Sequence, residues 1–333
     1  MRYRTIGQSG IEASVVGFGA WAIGGWLWGG TDAADAIAAI QTAVDAGITL
    51  IDTAPAYGFG LSEQIVGKAV AGRRDKVVLA TKCGLVWDTT EGTPFGSGQG
   101  KEIHRFLGPD SIRYEVNQSL KRLGTDYIDL YQTHWQDPAT PIEETMAALL
   151  DLKQQGKIRA IGVSNATVEQ MDEYRKVGPL DSDQERYSML DRSIENDRLP
   201  YCREHGIAML AYSPLGQGLL TGKIGLDRQF TGDDLRLNNP RFDAETRRKV
   251  AAMLDEYKPI AEAHNLTFAQ LAIAWTVAQP GLTFALVGAR NPTQARENAG
   301  AGDAVLNEQE LAEMDSIINE HVGAGWAAGG KKS

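Results

Sequence analysis

Four side chains that could act together on a reacting oxygen atom stand at the ends of apolar segments or just after them. Asp52 ends the run TLID, Lys82 ends VVLATK and His134 ends YIDLYQTH. Tyr57 follows Asp52 closely, between a proline turn and a Gly-x-Gly sequence. In a barrel of parallel strands, the groups that do chemistry lie where strands end and loops begin. We therefore expect these four side chains to face one rim.

The types of these side chains predict proton donation to a substrate oxygen. A tyrosine phenol has a pKa of about 10 and is a weak acid at neutral pH, but a nearby ammonium group stabilises the phenolate. We expect Lys82 to lower the pKa of Tyr57, and Asp52 to keep Lys82 charged in a pocket. His134 is then placed to donate a hydrogen bond to the same oxygen.

Each of the four residues also has a plainer explanation when it is taken alone. Asp52 could be a turn former or a helix cap, and Lys82 a solvated charge. His134 could be a satisfied core residue, and Tyr57 a packed ring whose hydroxyl meets solvent. Their occurrence together at successive strand ends favours the catalytic interpretation.

The elements that must position these residues alternate between short apolar runs and longer amphipathic ones. Strands are predicted at 15–21, 47–52, 76–82, 127–134, 158–164, 180–184, 206–213 and 282–288. Helices are predicted at 32–46, 61–71, 110–123, 141–155, 167–176 and 267–279, with Asp32, Pro141 and Thr267 as helix starts. The strand at 180–184 is the least apolar of the eight.

Strands that are apolar throughout, with helices between them, are typical of a parallel sheet, and eight such repeats predict an α/β fold, a closed (β/α)₈ TIM barrel. A doubly wound open sheet is the alternative. Its first strand would normally lead into a Gly-x-Gly-x-x-Gly turn, whereas here the chain continues as GFGAWAIGG.

A single domain over residues 1–333 is predicted, with several additions to the repeat. Residues 1–14 are expected to form a β-hairpin that closes the lower end of the barrel, and extra helices are expected near the C-terminus. The segments 83–109 and 214–243 are predicted to be long loops around the site, and residues 323–333 a flexible tail.

Composition excludes several classes of function. A net charge of −10 disfavours binding to nucleic acid or to an anionic membrane. The two cysteines cannot build a disulfide framework or a cysteine-rich zinc site, and the histidines lack metal-ligand spacing, so no metal is expected. No stretch of 18 apolar residues exists and the first ten residues have no apolar signal core. We expect a cytoplasmic protein, and its oligomeric state stays open.

Seven segments together resemble the aldo-keto reductases over roughly residues 3–320. They are GFGAW (17–21), IDTAPAYGFGLSE (51–63), VVLATKCG (77–84), SLKRLGTDYIDLYQTHWQD (119–137), GKIRAIGVSN (156–165), YSPLGQGLLTGK (212–223) and GARNPTQARENAGA (288–301). The last two are similar to the bacterial branch that includes inositol-utilisation-type and potassium-channel-β-like members.

The resemblance implies a catalytic tetrad of Asp52, Tyr57, Lys82 and His134, and NADPH bound in an extended form. It implies that Ser164, Asn165 and Gln184 hold the nicotinamide carboxamide, that Tyr212 stacks on the ring, and that Trp21 and Asp52 lie beside the cofactor. The remaining cofactor contacts that it implies are Ser213, Pro214, Leu215, Gln217, Leu219 and Lys223 at the pyrophosphate, and Gly288, Arg290, Gln294, Glu297, Asn298 and Arg236 at the adenosine end.

The choice between NADPH and NADH depends on the cations at that end. A 2′-phosphate is well matched by arginine, which binds it bidentately, and Arg290 precedes a helix whose N-terminus favours anions. The lysine-bearing phosphate motif of the aldose-reductase branch is absent, because the sequence reads VGARNP. NADPH preference therefore rests on Arg290 and Arg236, with weaker use of NADH.

The function expected from this resemblance is reduction of aldehydes or ketones to alcohols by hydride transfer, with Tyr57 as the general acid. Trp21, Trp87 and Trp135 are expected to line the substrate pocket, which favours small or aromatic carbonyl compounds. The alternative is an NADPH-binding sensor or regulatory subunit with slow or no turnover. Glycoside hydrolysis also uses barrels with two rim carboxylates, but no glutamate convincingly ends a strand here.

Overall fold

The computed structural model describes residues 1–323, so the predicted tail lies outside the described residues except for Gly323. The strands are β1 (Tyr3–Thr5), β2 (Glu12–Ser14), β3 (Val16–Gly19), β4 (Leu50–Asp52), β5 (Val78–Cys83), β6 (Leu85–Val86), β7 (Thr93–Gly98), β8 (Lys101–Arg105), β9 (Ile128–Thr133), β10 (Ile158–Ser164), β11 (Ser182–Arg186), β12 (Ala208–Tyr212) and β13 (Leu282–Gly288).

Eight of these strands close into a parallel barrel, in the order β3, β4, β5, β9, β10, β11, β12, β13 and back to β3. Each neighbouring pair in the ring runs parallel, including the closing pair β13–β3. The predicted (β/α)₈ barrel is confirmed, and the open doubly wound sheet is excluded because a closed ring has no edge strands.

The helices are α1 (Ala33–Asp45), α2 (Leu61–Val70), α3 (Pro109–Leu123), α4 (Ile142–Gln154), α5 (Val168–Val177), α6 (Arg198–His205), α7 (Ala244–Glu256), α8 (Lys258–Ala263), α9 (Phe268–Ala278), α10 (Pro292–Ala299) and α11 (Glu308–His321). The predicted helices match α1 to α5 and α9 closely. The side chains of Asp32 and Thr267 accept backbone N–H groups at the starts of α1 and α9, and Pro141 precedes α4, so all three predicted starts are confirmed. Within residues 1–323, no helix is both long and apolar enough to cross a membrane.

The N-terminal hairpin closes the lower end of the barrel, as predicted. Strands β1 and β2 pair antiparallel, and the connection between them carries Ile6 and Ile11. Both isoleucines are buried in the cluster that fills the barrel interior, which also contains Leu50, Leu130 and Phe284. A second and larger apolar cluster lies between the strands and the surrounding helices. The hairpin therefore completes the inner core at the end of the barrel opposite the strand ends that carry the site.

Strand β11 lies two residues later than predicted and is buried despite its polar sequence. Ser182, Asp183, Gln184 and Glu185 are all buried, and only Arg186 is exposed. Because successive side chains alternate between the two faces of a strand, Gln184 lies on one face and Asp183 and Glu185 lie on the other. The sequence SDQER therefore places polar groups both inside the barrel and behind it.

The segment 83–109, predicted to be a long loop, contains a small antiparallel sheet of β6, β7 and β8, and the prediction was wrong on this point. Strands β7 and β8 are joined by Gln99 and Gly100, which both have positive φ angles, of 50° and 75°. Two such residues form the turn that suits a two-residue hairpin, and this GQG signal was missed. Segment 214–243 contains short 3₁₀ turns at Gly216–Thr221 and Pro240–Phe242.

Candidate active site

The predicted catalytic residues Asp52, Tyr57 and Lys82 meet at one hydrogen-bonded centre. Lys82, near the end of β5, is fully buried, and its Nζ donates to Asp52 Oδ2 at 2.7 Å and to the Thr53 carbonyl oxygen at 3.0 Å. The same ammonium lies 3.2 Å from Tyr57 Oη. Asp52 ends the neighbouring strand β4, and the turn that follows brings Tyr57 back over Lys82.

His134 and Trp21 complete this centre. The His134 ring meets the Tyr57 ring edge-on, with centroids 5.6 Å apart and planes at 84°. His134 directly follows β9, and its backbone N–H donates to the Cys83 carbonyl oxygen at 2.9 Å. The Trp21 ring lies on another side of Tyr57, with centroids 6.2 Å apart. The structure thus brings together all four residues of the predicted tetrad.

Desolvation is the main cause of the pKa shifts of Tyr57, Lys82 and His134. It raises the pKa of Tyr57 well above its usual value, and the negative charge on Asp52 acts in the same direction. The sequence argument expected Lys82 to lower that pKa; instead, removal from water and the nearby carboxylate prevail. Desolvation lowers the pKa of Lys82, partly offset by Asp52. Desolvation, followed by the charge on Lys82, lowers the pKa of His134 well below its usual value, so its imidazole is neutral at pH 7.

Two glutamine amides donate hydrogen bonds to the second carboxylate oxygen of Asp52, Oδ1. Gln184 Nε2 donates to Asp52 Oδ1 at 2.9 Å, and Gln132 Nε2 lies 3.3 Å from the same oxygen. Gln184 was predicted as a cofactor contact, whereas Gln132 was missed. The available signal was a polar residue inside the apolar strand YIDLYQTH, on the same face as His134. The amides leave Asp52 with a hydrogen-bond donor on each oxygen.

A tight turn at the end of β10 carries Ser164 and Asn165. Asn165 has a left-handed backbone, with φ of 55°, and its Nδ2 donates to the His134 carbonyl oxygen at 3.0 Å. Its Oδ1 accepts the Tyr212 hydroxyl at 2.9 Å, and Ser164 Oγ donates to the Gln184 carbonyl oxygen at 2.8 Å. The four residues predicted to contact the nicotinamide therefore form one connected group beside the tetrad.

The segment after β12 is a turn with several left-handed residues. Ser213 has φ of 58°, and Gly216, Gln217 and Gly218 follow with φ of 55°, 57° and 102°. The N–H groups of Gly216 and Gly218 donate to the carbonyl oxygens of Ser213 and Leu215, each at 2.9 Å, and so hold the turn. Pro214 and Leu215 lie within this turn and Leu219 is buried beneath it. The predicted pyrophosphate contacts thus belong to one continuous turn.

A predicted pyrophosphate contact, Lys223, is bound to a predicted adenosine contact, Glu297. Lys223 Nζ donates to Glu297 Oε2 at 2.6 Å, which joins the turn after β12 to helix α10. On the same helix, Asn298 Nδ2 donates to the carbonyl oxygen of Gly288, the last residue of β13, at 3.1 Å. Helix α10 is thereby fixed to the strand end from which it starts.

Arg290 lies between β13 and α10 and reaches across to the loop after β3. Its guanidinium donates to the carbonyl oxygens of Trp28 and Gly30, at 3.2 and 2.6 Å. Its backbone N–H donates to Gln294 Oε1 at 2.8 Å. These partners are neutral, so they do not cancel the positive charge on Arg290.

Arg236 binds Asp234 in a two-pronged pair, with Nε and Nη2 at 2.9 and 2.7 Å from the two carboxylate oxygens. Its Nη1 also lies 3.3 Å from the Gln217 carbonyl oxygen. The charges on Arg236 and Arg290 both lower the pKa of Asp234, although desolvation opposes them. Arg236 therefore pairs directly with Asp234, and the charge on Arg290 acts on the same carboxylate more weakly.

Aromatic residues from the small sheet and from neighbouring loops form a wall beyond the tetrad. The Trp87 ring contacts Phe59 at a centroid distance of 5.3 Å, and the Trp135 ring contacts Phe95 at 5.4 Å. Of the three tryptophans predicted for the substrate pocket, Trp21 is the one that contacts Tyr57 directly. The other two belong to the wall formed with the small sheet.

A closed parallel barrel that carries this buried Asp–Lys–Tyr–His centre at its strand ends has a counterpart among known proteins. Residues 15–319 match the model of the aldo/keto reductase family, and the chain belongs to that family. The resemblance inferred from the sequence is confirmed. The chain is thus an oxidoreductase of a family that uses nicotinamide cofactors.

Three similar proteins extend the comparison. Aldo-keto reductase YhdN of Bacillus subtilis is 44% identical over 325 residues, covering 97% of this chain and 95% of that protein. NADH-specific methylglyoxal reductase of Escherichia coli is 44% identical over 320 residues, covering 94% and 97%. The structure of the glycerol dehydrogenase AKR11B4 from Gluconobacter oxydans superposes with a TM-score of 0.87 at 42% identity, covering 96% of each chain.

Proposed function

We propose that this protein reduces small aldehydes or ketones to alcohols with a reduced nicotinamide cofactor, and that it prefers NADPH to NADH. The observation that carries the proposal is the buried Lys82 ammonium, 2.7 Å from Asp52 and 3.2 Å from the Tyr57 hydroxyl. When bound, a reduced nicotinamide supplies a hydride to the carbonyl carbon. The protein supplies the proton, the orientation and the exclusion of water.

The polarity of the hydrogen bonds fits a nicotinamide carboxamide beside β11. Because Gln184 Nε2 donates to Asp52, the Oε1 atom of the same amide is the end left to accept an N–H group. Asn165, at the neighbouring strand end, donates through Nδ2 to the His134 carbonyl oxygen and to Ser164 Oγ, so it holds the turn beside the carboxamide. The left-handed turn at residues 216–218 is held by its own hydrogen bonds, from the N–H groups of Gly216 and Gly218 to the carbonyl oxygens of Ser213 and Leu215, so it would meet the pyrophosphate with a preformed backbone.

Three side chains act on the substrate oxygen. As negative charge develops there, the Tyr57 hydroxyl donates its proton, and the Lys82 ammonium stabilises the phenolate that remains. Neutral His134 donates a hydrogen bond that orients the oxygen. Asp52 holds Lys82 in place by accepting from its ammonium, so the tetrad acts as one unit.

The preference for NADPH is supported by the charges at the adenosine end. Arg236 is already paired with Asp234, so the positive charge offered to a 2′-phosphate is mainly that of Arg290. The Escherichia coli relative is named as NADH-specific, so identity alone does not decide this point. The proposal is therefore that Arg290, whose protein partners are neutral carbonyls, provides the discrimination.

The space around Tyr57 favours small substrate molecules. Trp21 stands next to Tyr57, and the wall containing Trp87 and Trp135 limits the space beyond it. The relatives named for methylglyoxal and glycerol act on three-carbon compounds, which agrees with a confined site. We propose three-carbon oxo-aldehydes and comparable small carbonyl compounds, including small aromatic aldehydes, as substrates.

The test is the loss of reduced-nicotinamide absorbance with a panel of methylglyoxal, glyceraldehyde, benzaldehyde and an aldose, using NADPH and NADH in parallel. Turnover is expected with small carbonyl compounds, and Tyr57→Phe is expected to reduce kcat by roughly a hundred-fold to ten-thousand-fold. Tyr114→Phe is the matched control, because Tyr114 is half exposed on α3.

Two outcomes would count against the proposal. Undiminished turnover by Tyr57→Phe would remove Tyr57 from the proton-donating role. Tight binding of the dinucleotide without turnover of any compound would favour the sensor alternative, which the relatives described above do not support.

A further inference from the structure

Strand β11 carries two carboxyl groups behind the barrel wall that the proposed reaction does not use. Asp183 is fully buried and Glu185 is 7% exposed. Both oxygens of Asp183 and the Oε1 atom of Glu185 lack a hydrogen-bond partner. A buried carboxylate without donors is costly, so such a pair is stable when it retains a proton.

Arg198, at the start of α6, links this pair to the site. Its Nε donates to the carbonyl oxygen of Ala166 at 2.7 Å and lies 3.4 Å from Glu185 Oε1. The backbone of Ala166 is therefore held at its carbonyl oxygen from behind the barrel wall.

Ala166 follows the turn that carries Ser164 and Asn165. Asn165 has a left-handed backbone, which a non-glycine residue keeps only when its surroundings hold it there. A shift of Ala166 would therefore tilt the Asn165 amide, which bonds to Tyr212 and to the His134 carbonyl oxygen.

We propose that Glu185 and Arg198, beside the buried Asp183, are positioning residues that fix the turn at residues 164–166 for the nicotinamide, and that Arg198 does so only while the Glu185 carboxyl group is uncharged. This inference rests on the proposed function, in which Ser164 and Asn165 contact the cofactor. It adds a pH-dependent control of cofactor affinity, located outside the groove that binds the cofactor.

The charges around the two carboxyl groups determine whether cofactor affinity rises or falls with pH. Burial, and then the charge on Glu185, raise the pKa of Asp183 well above its usual value, while burial raises the pKa of Glu185 to about 7 against the opposing charge on Arg198. The other charged or titratable groups that face the pair or Arg198 are Asp197 and Cys202 in or beside α6, Glu169 in α5, and Tyr212 at the end of β12.

Arg198 also pairs with Asp197, whose Oδ2 atom lies 3.0 Å from Arg198 Nη1. Below about pH 7 the Glu185 carboxyl group is uncharged, and Arg198 Nε stays on the Ala166 carbonyl oxygen. As the pH rises above about 7, Glu185 becomes charged, which draws Arg198 Nε from that oxygen toward Glu185 Oε1, 3.4 Å away. Cofactor affinity should therefore fall as the pH rises.

The experiment measures Kd for NADPH and for NADH by quenching of tryptophan fluorescence, from about pH 6.5 to about pH 9. For the wild type we expect Kd to rise by roughly fivefold to tenfold over this range with both dinucleotides, which also separates the effect from titration of the 2′-phosphate. Glu185→Gln removes the carboxyl group whose pKa is about 7 and should make Kd nearly independent of pH. Glu173→Gln, an exposed residue on α5, is the matched control and should behave as the wild type.

Arg198→Met tests the link itself. It should raise Kd to the high-pH value at every pH, while kcat at saturating cofactor changes little. A pH-independent wild type, or a Glu185→Gln variant with the same slope, would overturn the inference and leave the proposed function intact. Failure to bind either dinucleotide at any pH would overturn both. If Glu185→Gln does not fold, Arg198→Met provides the comparison, because it should also abolish the pH dependence.

Discussion

The surroundings of Tyr57 decide how the proposed reaction responds to pH. Its raised pKa keeps the hydroxyl protonated across the neutral range, and the lowered pKa of His134 keeps that imidazole neutral. Reduction uses both groups in the form already present, whereas oxidation of an alcohol needs Tyr57 without its proton. The reaction should therefore show different pH dependence in its two directions.

We expect kcat for reduction to be nearly constant between about pH 7 and pH 9, and kcat for alcohol oxidation to rise with pH over the same range. Steady-state pH profiles in both directions check this. A reduction rate that falls tenfold per pH unit within the range would mean that the proton donor has a much lower pKa than its surroundings indicate.

Arg290 is the single residue on which the proposed cofactor preference depends most. Arg290→Ala should raise KM for NADPH by roughly tenfold to a hundred-fold, the usual effect of losing a charge-assisted hydrogen bond, and should change KM for NADH much less. Arg296→Ala, on the exposed face of α10, is the matched control. Equal losses with both cofactors would show that Arg290 supports the loop of Trp28 and Gly30 rather than a phosphate.

At the scale of elements, the small sheet depends on a close approach between β7 and the loop after β3. A Cβ atom at Gly98 would lie 2.1 Å from a ring carbon of Trp26, and Trp26 in turn packs on Phe59 at 4.9 Å. At Gly96, in the same strand, a Cβ atom would meet no other atom within 4 Å. These two glycines therefore form a natural pair for testing what the small sheet does.

Gly98→Ala should displace Trp26 or the small sheet and raise KM for the carbonyl substrate several-fold, with little change in cofactor Kd. Gly96→Ala should leave both constants unchanged. Steady-state kinetics and cofactor titration on the two variants make the comparison. Equal KM values would show that the sheet does not shape the substrate site.

Helices and strands were predictable to different degrees from the sequence. Asp32 and Thr267 predict the starts of α1 and α9, because a capping side chain accepts backbone N–H groups only two or three residues further along the chain. The small sheet was missed because its strands are rich in glycine and polar residues. The Gln99–Gly100 turn indicates a hairpin only once β7 and β8 are recognised as paired strands. Strand β11 was placed early because its buried polar residues hide the apolar pattern.

At the scale of the whole molecule, the barrel carries the site at one end, and the N-terminal hairpin of β1 and β2 closes the other end. Ile6 is fully buried with Leu50 and Phe284 in the barrel interior. Ile6→Ala should reduce the free energy of unfolding by about 2–5 kcal/mol, because it leaves a cavity in a closed core. Urea unfolding followed by circular dichroism measures this.

Activity per folded molecule should stay unchanged in the Ile6→Ala variant, since the N-terminal hairpin lies far from the strand ends that carry the tetrad. Val305→Ala, at a residue that is 63% exposed, is the control and should leave both stability and activity as they are. A loss of kcat in Ile6→Ala at full folding would show that the hairpin influences the rim.

The sequence by itself determined the barrel and the tetrad. Seven of the eight barrel strands appear as local apolar runs and the predicted helices as local periodic segments, and eight repeats of the pair leave a parallel ring as the compact solution. Once the strands are parallel, Asp52, Lys82 and His134 must share a rim, because each stands at the same end of its strand. These conclusions need only short-range patterns and chain direction.

The tertiary structure alone decided how the groups at that rim interact. The second oxygen of Asp52 receives Gln132 and Gln184, and Arg290 binds the carbonyl oxygens of Trp28 and Gly30. Such pairings join residues far apart in the chain, so no local pattern encodes them. The direction of the Tyr57 pKa shift also depended on folding, because desolvation exists only when the chain is packed, and here it outweighs the neighbouring ammonium.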